Sequence, residues 1–240
     1  MDNTIVIIPT YNEIENIEAI VRAVFLQSGA VHVLVVDDNS PDLTHLKVKA
    51  LQAEYPNRLF LEVRNEKSGL GTAYIHGFKW SLKKGYQYIF EMDADFSHDP
   101  NDLPRLYKAC AAEGAYMAIG SRYVTGVNVV NWPMSRVLLS YLASKYVRVV
   151  TGMKIHDTTA GFVCYRREVL EAIDLDNIKF IGYAFQIEMK FKTYLKKFKI
   201  IEVPVIFTDR TKGESKLSSG IISEAIFGVI SMKIKSLIRK

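Results

Sequence analysis

Cysteine is scarce in this sequence. Among its 240 residues only Cys110 and Cys164 are cysteines, and both lie among apolar residues. Two cysteines do not provide the disulfide framework of a small secreted domain, so both are expected to be buried thiols. The start of the chain also lacks a signal-peptide pattern, because the apolar run that follows Thr4 has no basic head and stops at Pro9. We therefore expect a protein that is made and kept in the cytosol.

Other familiar patterns are missing as well. No Gly-x-Gly-x-x-Gly follows the first apolar run, and the turn at Gly69-Leu70-Gly71 is too short for a dinucleotide fingerprint. There is no internal repeat, no low-complexity tract and no convincing linker before Thr208. With 49% hydrophobic and 24% charged residues, the composition predicts one globular domain with a large core.

Acidic residues are rare near the carboxyl end. The formal net charge of the chain is +5, and the stretch from Lys212 onward is rich in lysine with few acids. This distribution favours an anionic partner there, either phosphate or a lipid headgroup. We expect no nucleic-acid partner.

Apolar runs of strand length alternate with helical patterns in the first half of the chain. Strands are predicted at residues 4–8, 31–36, 59–63, 88–92 and 116–119. The first helical pattern begins with a capping box formed by Asn12 and Glu15. This alternation predicts an α/β fold with a mostly parallel sheet and helices on both faces. Beyond Tyr123 the alternation becomes irregular, so we expect the second half to shape the substrate site.

Two carboxylates stand one residue apart where the fourth predicted strand ends. Asp93 and Asp95 directly follow the apolar run at residues 88–92. Ligands of α/β sheets bind at the carboxyl ends of the strands, and residues i and i+2 of an extended chain point the same way. Both carboxylates can therefore face one Mg²⁺ or Mn²⁺ ion, whose open positions suit phosphate oxygens. The alternative is an acidic turn that only caps the next helix.

Two segments of the second half are amphipathic with wide apolar arcs. In residues 135–151 the polar side chains recur at about four-residue spacing, at Arg136, Ser140, Ser144, Arg148 and Thr151. Residues 221–238 repeat the pattern, but Glu224, Lys233 and Lys235 disfavour a membrane-spanning helix. We expect both segments to lie in a membrane interface, at the cytoplasmic face of a membrane. The alternative for both is an ordinary core or dimer helix.

Five motifs follow one another in a recognisable order. They are Pro-Thr-Tyr-Asn-Glu at residues 9–13, Asp-Asp-Asn-Ser-Pro-Asp at 37–42, Asp-Ala-Asp at 93–95, Gly-Ser-Arg-Tyr at 120–123 and Arg-Thr-Lys-Gly-Glu-Ser-Lys at 210–216. This order resembles glycosyltransferase family 2, and within it the polyprenol (dolichol) phosphate mannose synthases, from Ile5 to about Leu217. The last motif and Asn131-Trp132-Pro133 ahead of Arg136 point to the polyprenol phosphate branch.

The resemblance implies a GT-A type nucleotide-sugar-binding fold. It divides the chain into a catalytic domain at residues 1–217 and a C-terminal amphipathic membrane-interface helix at residues 218–240. Many members of the family continue into transmembrane helices. A membrane-anchoring subunit or a second copy of the chain is therefore a further candidate partner.

The resemblance also implies roles for individual residues. The guanosine end of GDP-mannose would bind at Pro9, Tyr11, Glu13, Val36 and Asp38. The diphosphate and its Mg²⁺ or Mn²⁺ would be held by Asp93 and Asp95, with Ala94 lining the site and Ser97 as a candidate third ligand. The residues that contact phosphates would be Arg122, Arg210 and Lys216, joined on the acceptor side by Arg136 and Ser140. The predicted catalytic residues are Asp95, Arg122, Arg210 and Lys216.

Some neighbouring residues are expected to have other roles. Asp37 is expected to orient its loop without touching a ligand. His98 is expected to have a surface or capping role, with contact to the metal as the alternative. Residues 157–162, Gln186 and Glu188 are expected to line the sugar or acceptor side.

The implied reaction is a metal-dependent, inverting transfer of mannose from GDP-mannose to a polyprenyl or dolichyl phosphate. A phosphate monoester is mostly dianionic at neutral pH, so it is a nucleophile that needs no general base. The metal stabilises the charge on the departing GDP. The protein must hold two anionic groups side by side, which arginines and a lysine can do. In-line attack on an α-linked donor gives a β-linked product.

Three alternatives remain open. The donor could be UDP-glucose or another UDP-sugar, because nothing in the order of motifs reads the base or the sugar hydroxyls. A non-catalytic nucleotide-sugar-binding subunit is a second alternative, although its signature would be loss of the aspartate pair or the basic cluster. A soluble transferase with a protein or saccharide acceptor is the third, and its two amphipathic helices would pack on a partner chain.

Overall fold

A computed structural model describes residues 1–182, 184–209 and 219–238, and for residues 219–226 it describes the backbone alone. The strands are β1 (Thr4–Thr10), β2 (Val31–Asp37), β3 (Leu59–Val63), β4 (Tyr88–Glu91), β5 (Met117–Ser121), β6 (Val129–Val130), β7 (Val163–Arg166), β8 (Ile200–Pro204) and β9 (Phe207–Thr208). The helices are α1 (Ile17–Gln27), α2 (Thr44–Leu51), α3 (Leu70–Lys84), α4 (Leu103–Ala111), α5 (Met134–Thr151), α6 (Arg167–Ala172), α7 (Ala184–Leu195) and α8 (Ser219–Ile238).

One seven-stranded sheet organises these elements, in the order β3-β2-β1-β4-β7-β5-β8. Neighbouring strands are parallel except at β7, which runs antiparallel to both β4 and β5. The mostly parallel sheet expected from the sequence is confirmed, and each of the five predicted strands ends within two residues of its predicted bounds. The antiparallel strand was not predicted, because its short run follows a segment with no regular pattern. Strands β6 and β9 form a separate parallel pair.

Both faces of the sheet are buried, which explains why its central strands are apolar throughout. In β1, Ile5 and Ile7 pack into one core while Val6 and Ile8 pack into the other. Helices α3 and α7 contribute to the first core, and α1 and α4 to the second. The prediction of helices on both faces is therefore confirmed. Cys110 is buried in the second core as a free thiol, as is Cys164, in agreement with the sequence.

The predicted capping box at Asn12 and Glu15 is wrong. Helix α1 begins at Ile17, and Asn12 has a left-handed backbone with a φ of 57°. The N–H of Asn12 donates to Ser40 Oγ at 3.0 Å, and the N–H of Glu13 donates to Thr44 Oγ1 at 3.0 Å. These backbone donors are satisfied by the loop after β2, so they need no helix cap. The residues after β1 consequently form a loop that is tied to the loop after β2.

Asp99 caps the turn that follows the aspartate pair. The side chain of Asp99 accepts a hydrogen bond from the N–H of Asn101 at 2.9 Å, and Pro100 begins a 3₁₀ turn that leads into α4. This cap satisfies a donor that a helix start leaves open.

Helix α5 is present as predicted, but its apolar face points outward. Ser144, Val147 and Thr151 are buried, whereas the exposed side chains of this helix include Met134, Leu138, Leu139, Tyr141, Leu142 and Val149. A core helix would show the opposite pattern. The core-helix alternative for this segment is therefore wrong, and a surface that contacts a membrane or a partner remains.

Helix α8 packs against α5 and α7 and also exposes apolar side chains. Those described as exposed are Phe227, Ile230, Ile234, Leu237 and Ile238. No helix in the described ranges is both long and apolar enough to cross a bilayer. The predicted domain boundary after residue 217 falls outside the described residues and stays a prediction.

Candidate active site

The site lies at the edge of the sheet where the parallel strands end. Strands β1, β2, β4 and β5 all deliver their carboxyl ends there, and β7 begins there because Val163 pairs with Glu91. A cavity of about 430 Å³ opens at this edge. The predicted residues that it brings together are Asp93, Ser97, Arg122, Arg136 and Ser140. Residues from three separate segments of the sequence are thus assembled around one space.

The aspartate pair forms a tight turn beside this cavity. Asp95 is buried, and its Oδ1 accepts a hydrogen bond from the N–H of Ser97 at 3.0 Å. Asp93 is more open, with 37% of its side chain exposed, and Tyr74 donates to its Oδ1 at 3.4 Å. Ala94, which lies between them, is buried in the second core. The two carboxylates therefore differ in environment, one held inside the turn and one facing the cavity.

The donors of this turn suit a hard divalent cation. Asp93, Asp95 and Ser97 offer oxygen atoms, which Mg²⁺ and Mn²⁺ prefer. Across the described ranges, no group of three or more His, Cys, Asp or Glu side chains could hold a metal by itself. Two carboxylates can bind such a cation when the phosphates of a substrate complete its ligands. The residues present fit such an ion.

His98 lies inside the protein, so the surface or capping role expected for it is wrong. It is 4% exposed, stacks on the ring of Phe162 at 5.0 Å and accepts a hydrogen bond at Nδ1 from the N–H of Asp93 at 3.1 Å. Burial lowers the pKa of His98, although the charge of Asp93 opposes this shift. A neutral ring with an accepting Nδ1 carries its proton on Nε2. His98 therefore helps to fix the aspartate turn.

Arg122 is held by a buried carboxylate. Its Nε and Nη2 donate to the two oxygens of Asp157, each at 2.6 Å, and Nη2 also donates to Thr159 Oγ1 at 2.8 Å. Burial raises the pKa of Asp157, but Arg122 outweighs that effect and leaves the pKa below its ordinary value. The pair is bidentate and charge-assisted, which fixes the plane of the guanidinium. Asp157 was expected to line the ligand side, and it instead anchors the arginine.

Arg136 lies on the other side of the cavity and is also paired. Its Nη1 donates to Asp209 Oδ1 at 2.8 Å, and its guanidinium lies 4.1 Å from the ring centre of Trp132. The same ring lies 5.4 Å from the guanidinium of Arg122. The Nε1 atom of Trp132 is buried without a hydrogen-bond partner among the residues described. Trp132 thus stands between the two arginines with an unused donor beside the cavity.

The rest of the cavity is apolar. Its walls are formed by side chains of α5, α7 and α8, including Leu139, Leu142, Ala143, Tyr146, Val147, Ile187 and Val229. Thr159, Ala160 and Gly161 form what we call the floor, and Gln186 lies beside them. Glu188 was also expected here, but its carboxylate accepts hydrogen bonds from the N–H groups of Lys179 and Phe180, so it holds that segment instead. The cavity joins a polar end at Asp93 to an apolar end under α5.

The residues predicted for the nucleotide base lie at the ends of β1 and β2. Pro9 pairs with Val36 across these strands, and Tyr11 and Glu13 follow in the next loop. Asp38 accepts from Arg64 Nε at 2.6 Å, and burial raises its pKa although Arg64 opposes this. The five residues predicted to bind the base form one group beside the cavity rather than in it.

Arg64 and Lys67 are two site neighbours that the sequence interpretation missed. Arg64 binds Asp38, and the ammonium of Lys67 lies 4.2 Å from the ring centre of Tyr11. Both follow directly after β3, so the rule that ligands meet strand ends would have pointed to them.

Asp37 behaves as predicted. It is fully buried and accepts hydrogen bonds from Thr10 Oγ1 at 2.6 Å and from Ser40 N–H at 2.8 Å. Its carboxylate therefore fixes the loop after β2 and is not offered to a ligand. Arg210 and Lys216, the other two predicted phosphate contacts, lie outside the described residues.

Comparison with known proteins identifies relatives over almost the whole chain. The model of glycosyl transferase family 2 matches residues 5–174. The chain is 49% identical to the polyprenol monophosphomannose synthase of Mycolicibacterium smegmatis, over 97% of this chain and 87% of that protein. It is 47% identical to the undecaprenyl-phosphate mannosyltransferase of Micrococcus luteus, over 93% of this chain and 90% of that protein.

A solved structure with little sequence similarity shares the fold. Glucosyl-3-phosphoglycerate synthase from Mycobacterium tuberculosis, crystallised with Mn²⁺ and UDP-glucose, superposes with a TM-score of 0.68 at 15% identity. The match covers 97% of this chain and 78% of that chain. At this identity the likeness concerns the fold alone, and it confirms the predicted GT-A type architecture.

The pair formed by Arg122 and Asp157 gives a stability prediction. In Asp157→Asn the guanidinium stays buried without its counter-charge, so we expect the free energy of unfolding to fall by about 3–5 kcal/mol at neutral pH. Urea denaturation measures this. The matched control is Asp176→Asn, because Asp176 pairs with Lys79 at an exposed position and should matter little.

The same pair predicts a pH dependence. Because the pKa of Asp157 is lowered in the folded state, its contribution is complete above the ordinary value of about 4 and is lost as the pH falls through the folded value. The difference in stability between wild type and Asp157→Asn should therefore shrink in acid. A difference that stays constant in acid would contradict the ion pair.

Proposed function

Because the chain belongs to glycosyltransferase family 2, we propose that it transfers mannose to a polyprenyl phosphate and that its donor is GDP-mannose. The names of its relatives at 47% and 49% identity support the acceptor and the sugar. The guanosine donor is supported by the resemblance of the residues after β1 and β2 to the base-binding motifs of the polyprenol phosphate branch. The chain is a glycosyltransferase, and the finer assignment concerns its two substrates.

The cavity is the observation that carries the acceptor proposal. A polyprenyl phosphate has one dianionic end and one long apolar tail. The cavity has arginines and a buried indole donor at one end and apolar walls at the other. Such a shape with few polar groups at one end is typical of a site for an amphipathic ligand. We place the phosphate near Arg122 and Arg136, with Ser140 beside them, and the tail along α5.

We place Mg²⁺ or Mn²⁺ on Asp93 and Asp95, with Ser97 as a further oxygen donor. A bound cation would supply charge stabilisation for the diphosphate that departs with the nucleotide. Asp95 is fixed by the N–H of Ser97, and His98 fixes the backbone of Asp93, so the chain presents both carboxylates in a set arrangement. This arrangement is what a preorganised site requires.

The charges of the two arginines that line the cavity are already balanced. Arg122 is paired with Asp157, and Arg136 with Asp209, so neither pair carries net charge. The two arginines therefore orient phosphate oxygens through fixed N–H groups more than they attract anions. In this proposal the cation, Arg210 and Lys216 supply the positive charge that attracts the anionic groups. No general base is needed, because the acceptor phosphate is already a nucleophile.

The outward apolar faces of α5 and α8 support a peripheral position at the cytoplasmic face of a membrane. Together they expose a set of large apolar side chains next to the apolar end of the cavity. Exposed apolar surface of this size marks a contact site for a membrane or a protein. We assign it to the lipid surface, because the acceptor tail must pass from that surface into the cavity.

The first test is substrate preference. With a short-chain polyprenyl phosphate, we expect kcat/KM with GDP-mannose to exceed that with UDP-glucose by about a hundredfold or more, because hydrogen bonds to the base discriminate strongly. Transfer of radiolabelled sugar measures both values. The matching polyprenol without its phosphate serves as the control acceptor and should not react. A preference for UDP-glucose would contradict the mannosyl donor.

The second test concerns the cation. Asp95→Asn keeps an acceptor for the N–H of Ser97 but removes one charge, so we expect transfer to fall about a hundredfold or more with a nearly unchanged melting temperature. A chelator should abolish wild-type transfer, and Mn²⁺ or Mg²⁺ should restore it. Asp99→Asn, which keeps the helix cap, is the matched control. Full activity of Asp95→Asn would make the aspartate pair purely structural.

The third test concerns the membrane surface. Leu138 and Val149 are exposed and lie on one side of α5, about three turns apart. We expect wild type to co-sediment with vesicles that contain anionic lipid, and Leu138→Glu/Val149→Glu to remain largely in the supernatant. Leu26→Glu is the control, since Leu26 is 85% exposed on α1. Recovery of the wild type in the supernatant would favour a soluble enzyme whose apolar face binds a partner chain.

A further inference from the structure

A chain of hydrogen bonds runs beneath the floor of the cavity. Lys190 Nζ donates to the carbonyl oxygen of Ala160 at 2.6 Å and to Gln186 Oε1 at 3.3 Å. The amide of Gln186 donates to Glu91 Oε2 at 2.7 Å, and Tyr165 donates to Glu91 Oε1 at 3.2 Å. Glu91 ends β4, two residues before Asp93. The chain thus connects the strand of the aspartate turn to the floor.

Both charged members of this chain are completely buried. Glu91 and Lys190 are 0% exposed, and the side chain of Gln186 stands between them. Burial raises the pKa of Glu91 and lowers that of Lys190, while the attraction between the two opposes both shifts. Removing two charges from water is costly, and apolar residues of similar volume often stabilise a fold as well or better. Stability alone therefore does not explain this pair.

The floor is held at three separate points. Glu202 accepts hydrogen bonds from the N–H groups of His156 and Asp157 at 2.8 and 2.9 Å. Arg122 binds Asp157 and also Thr159, which is the first residue of the floor. Lys190 holds Ala160, whose neighbour Gly161 packs under the ring of His98. Glu202 binds residues just before the floor, and Arg122 reaches its first residue, Thr159. Lys190 therefore holds its middle residue, Ala160.

Lys190 and Glu91 do not themselves line the cavity. The lining residues include Gln186, Thr159, Ala160 and Gly161, with Arg122 beside them. Any effect of Lys190 on a ligand must therefore pass through Gln186 and the floor. This distinguishes the pair from the residues that contact the substrates.

We propose that Lys190 and Glu91 are positioning residues for the acceptor. Their hydrogen-bond chain through Gln186 fixes the position of the cavity floor relative to Arg122. The proposal rests on the proposed function, since it takes the cavity to hold a polyprenyl phosphate. A floor in the correct place lets the phosphate end reach Arg122 and Arg136 together. The donor base, which binds at the ends of β1 and β2, is independent of this floor.

The test uses a single and a double variant of the full chain. Lys190→Met leaves Glu91 buried without its counter-charge and removes the hydrogen bond to Ala160. Glu91→Gln/Lys190→Met removes both charges and restores electrical balance, but the hydrogen bond to Ala160 stays absent. Lys192→Met is the matched control on α7, because Lys192 binds Glu188 and Asn177 away from the floor.

The two variants separate stability from positioning. We expect Lys190→Met to melt at a lower temperature and the double variant to regain most of that loss. In both, the KM for polyprenyl phosphate should rise about tenfold, the loss typical of one hydrogen bond to a charged group. The KM for the nucleotide sugar should stay within about twofold of wild type, and Lys192→Met should match wild type in both constants.

A readout without substrate accompanies the kinetics. Hydrogen exchange of a peptide that covers residues 157–161 should be faster in the double variant than in wild type, while a peptide from β1 should exchange equally in both. Hydrogen exchange reports on the floor even if the wild type transfers no sugar to polyprenyl phosphate. A wild type that transfers no sugar to polyprenyl phosphate would contradict the proposed function, but it would not contradict the role of Lys190 in holding the floor.

Three outcomes would overturn the proposal. A double variant with wild-type acceptor KM and wild-type exchange would mean that the pair only balances charge. An equal rise of KM for both substrates would mean a general disturbance of the site. Failure of both variants to fold would make the pair a requirement of the fold instead of the acceptor cavity.

Discussion

Strand β7 runs antiparallel between the parallel strands β4 and β5, and it therefore enters the sheet at the edge where those strands end. Its start brings residues 157–162 next to the aspartate turn after β4 and next to Arg122 after β5. The buried pair of Arg122 and Asp157 ties this arrangement together, with Glu202 of β8 bound to the same loop. A cavity floor between two strand ends exists because one strand is reversed.

The electrostatics of the site follow from how its charges are paired. Asp157 with Arg122, Asp209 with Arg136 and Asp38 with Arg64 are each joined in the free protein. Paired guanidinium groups keep a fixed plane, and fixed donors suit phosphate better than mobile ones. A site built this way orients anions, and in the proposed function a bound cation and further basic residues would compensate their charge. This division of work is consistent with a transferase that holds a diphosphate and a phosphate close together.

The exposed apolar surface of α5 and α8 and the wall of the cavity form one structural feature. The polar face of α5 turns inward, where Ser144 and Thr151 are buried, so the apolar side chains of the helix face outward. Some of these side chains also form the wall of the cavity, together with Val229 of α8. The outer surface and the inner wall are therefore continuous. An apolar chain can pass from one to the other along apolar side chains only, which supports the proposed link between the acceptor and a membrane.

The sequence by itself determined the order of strands and helices in the first half of the chain, the sheet with two buried faces and the position of the aspartate pair at a strand end. These depend on local hydrophobic periodicity and on a topological rule, both of which can be read along the chain. Only the tertiary structure decided the partners of Arg122, Asp38 and Arg136, the inward place of His98 and the buried connection from Glu91 to Lys190. Those contacts join residues far apart in sequence, and a buried charge is indistinguishable from an exposed one until packing removes the water around it.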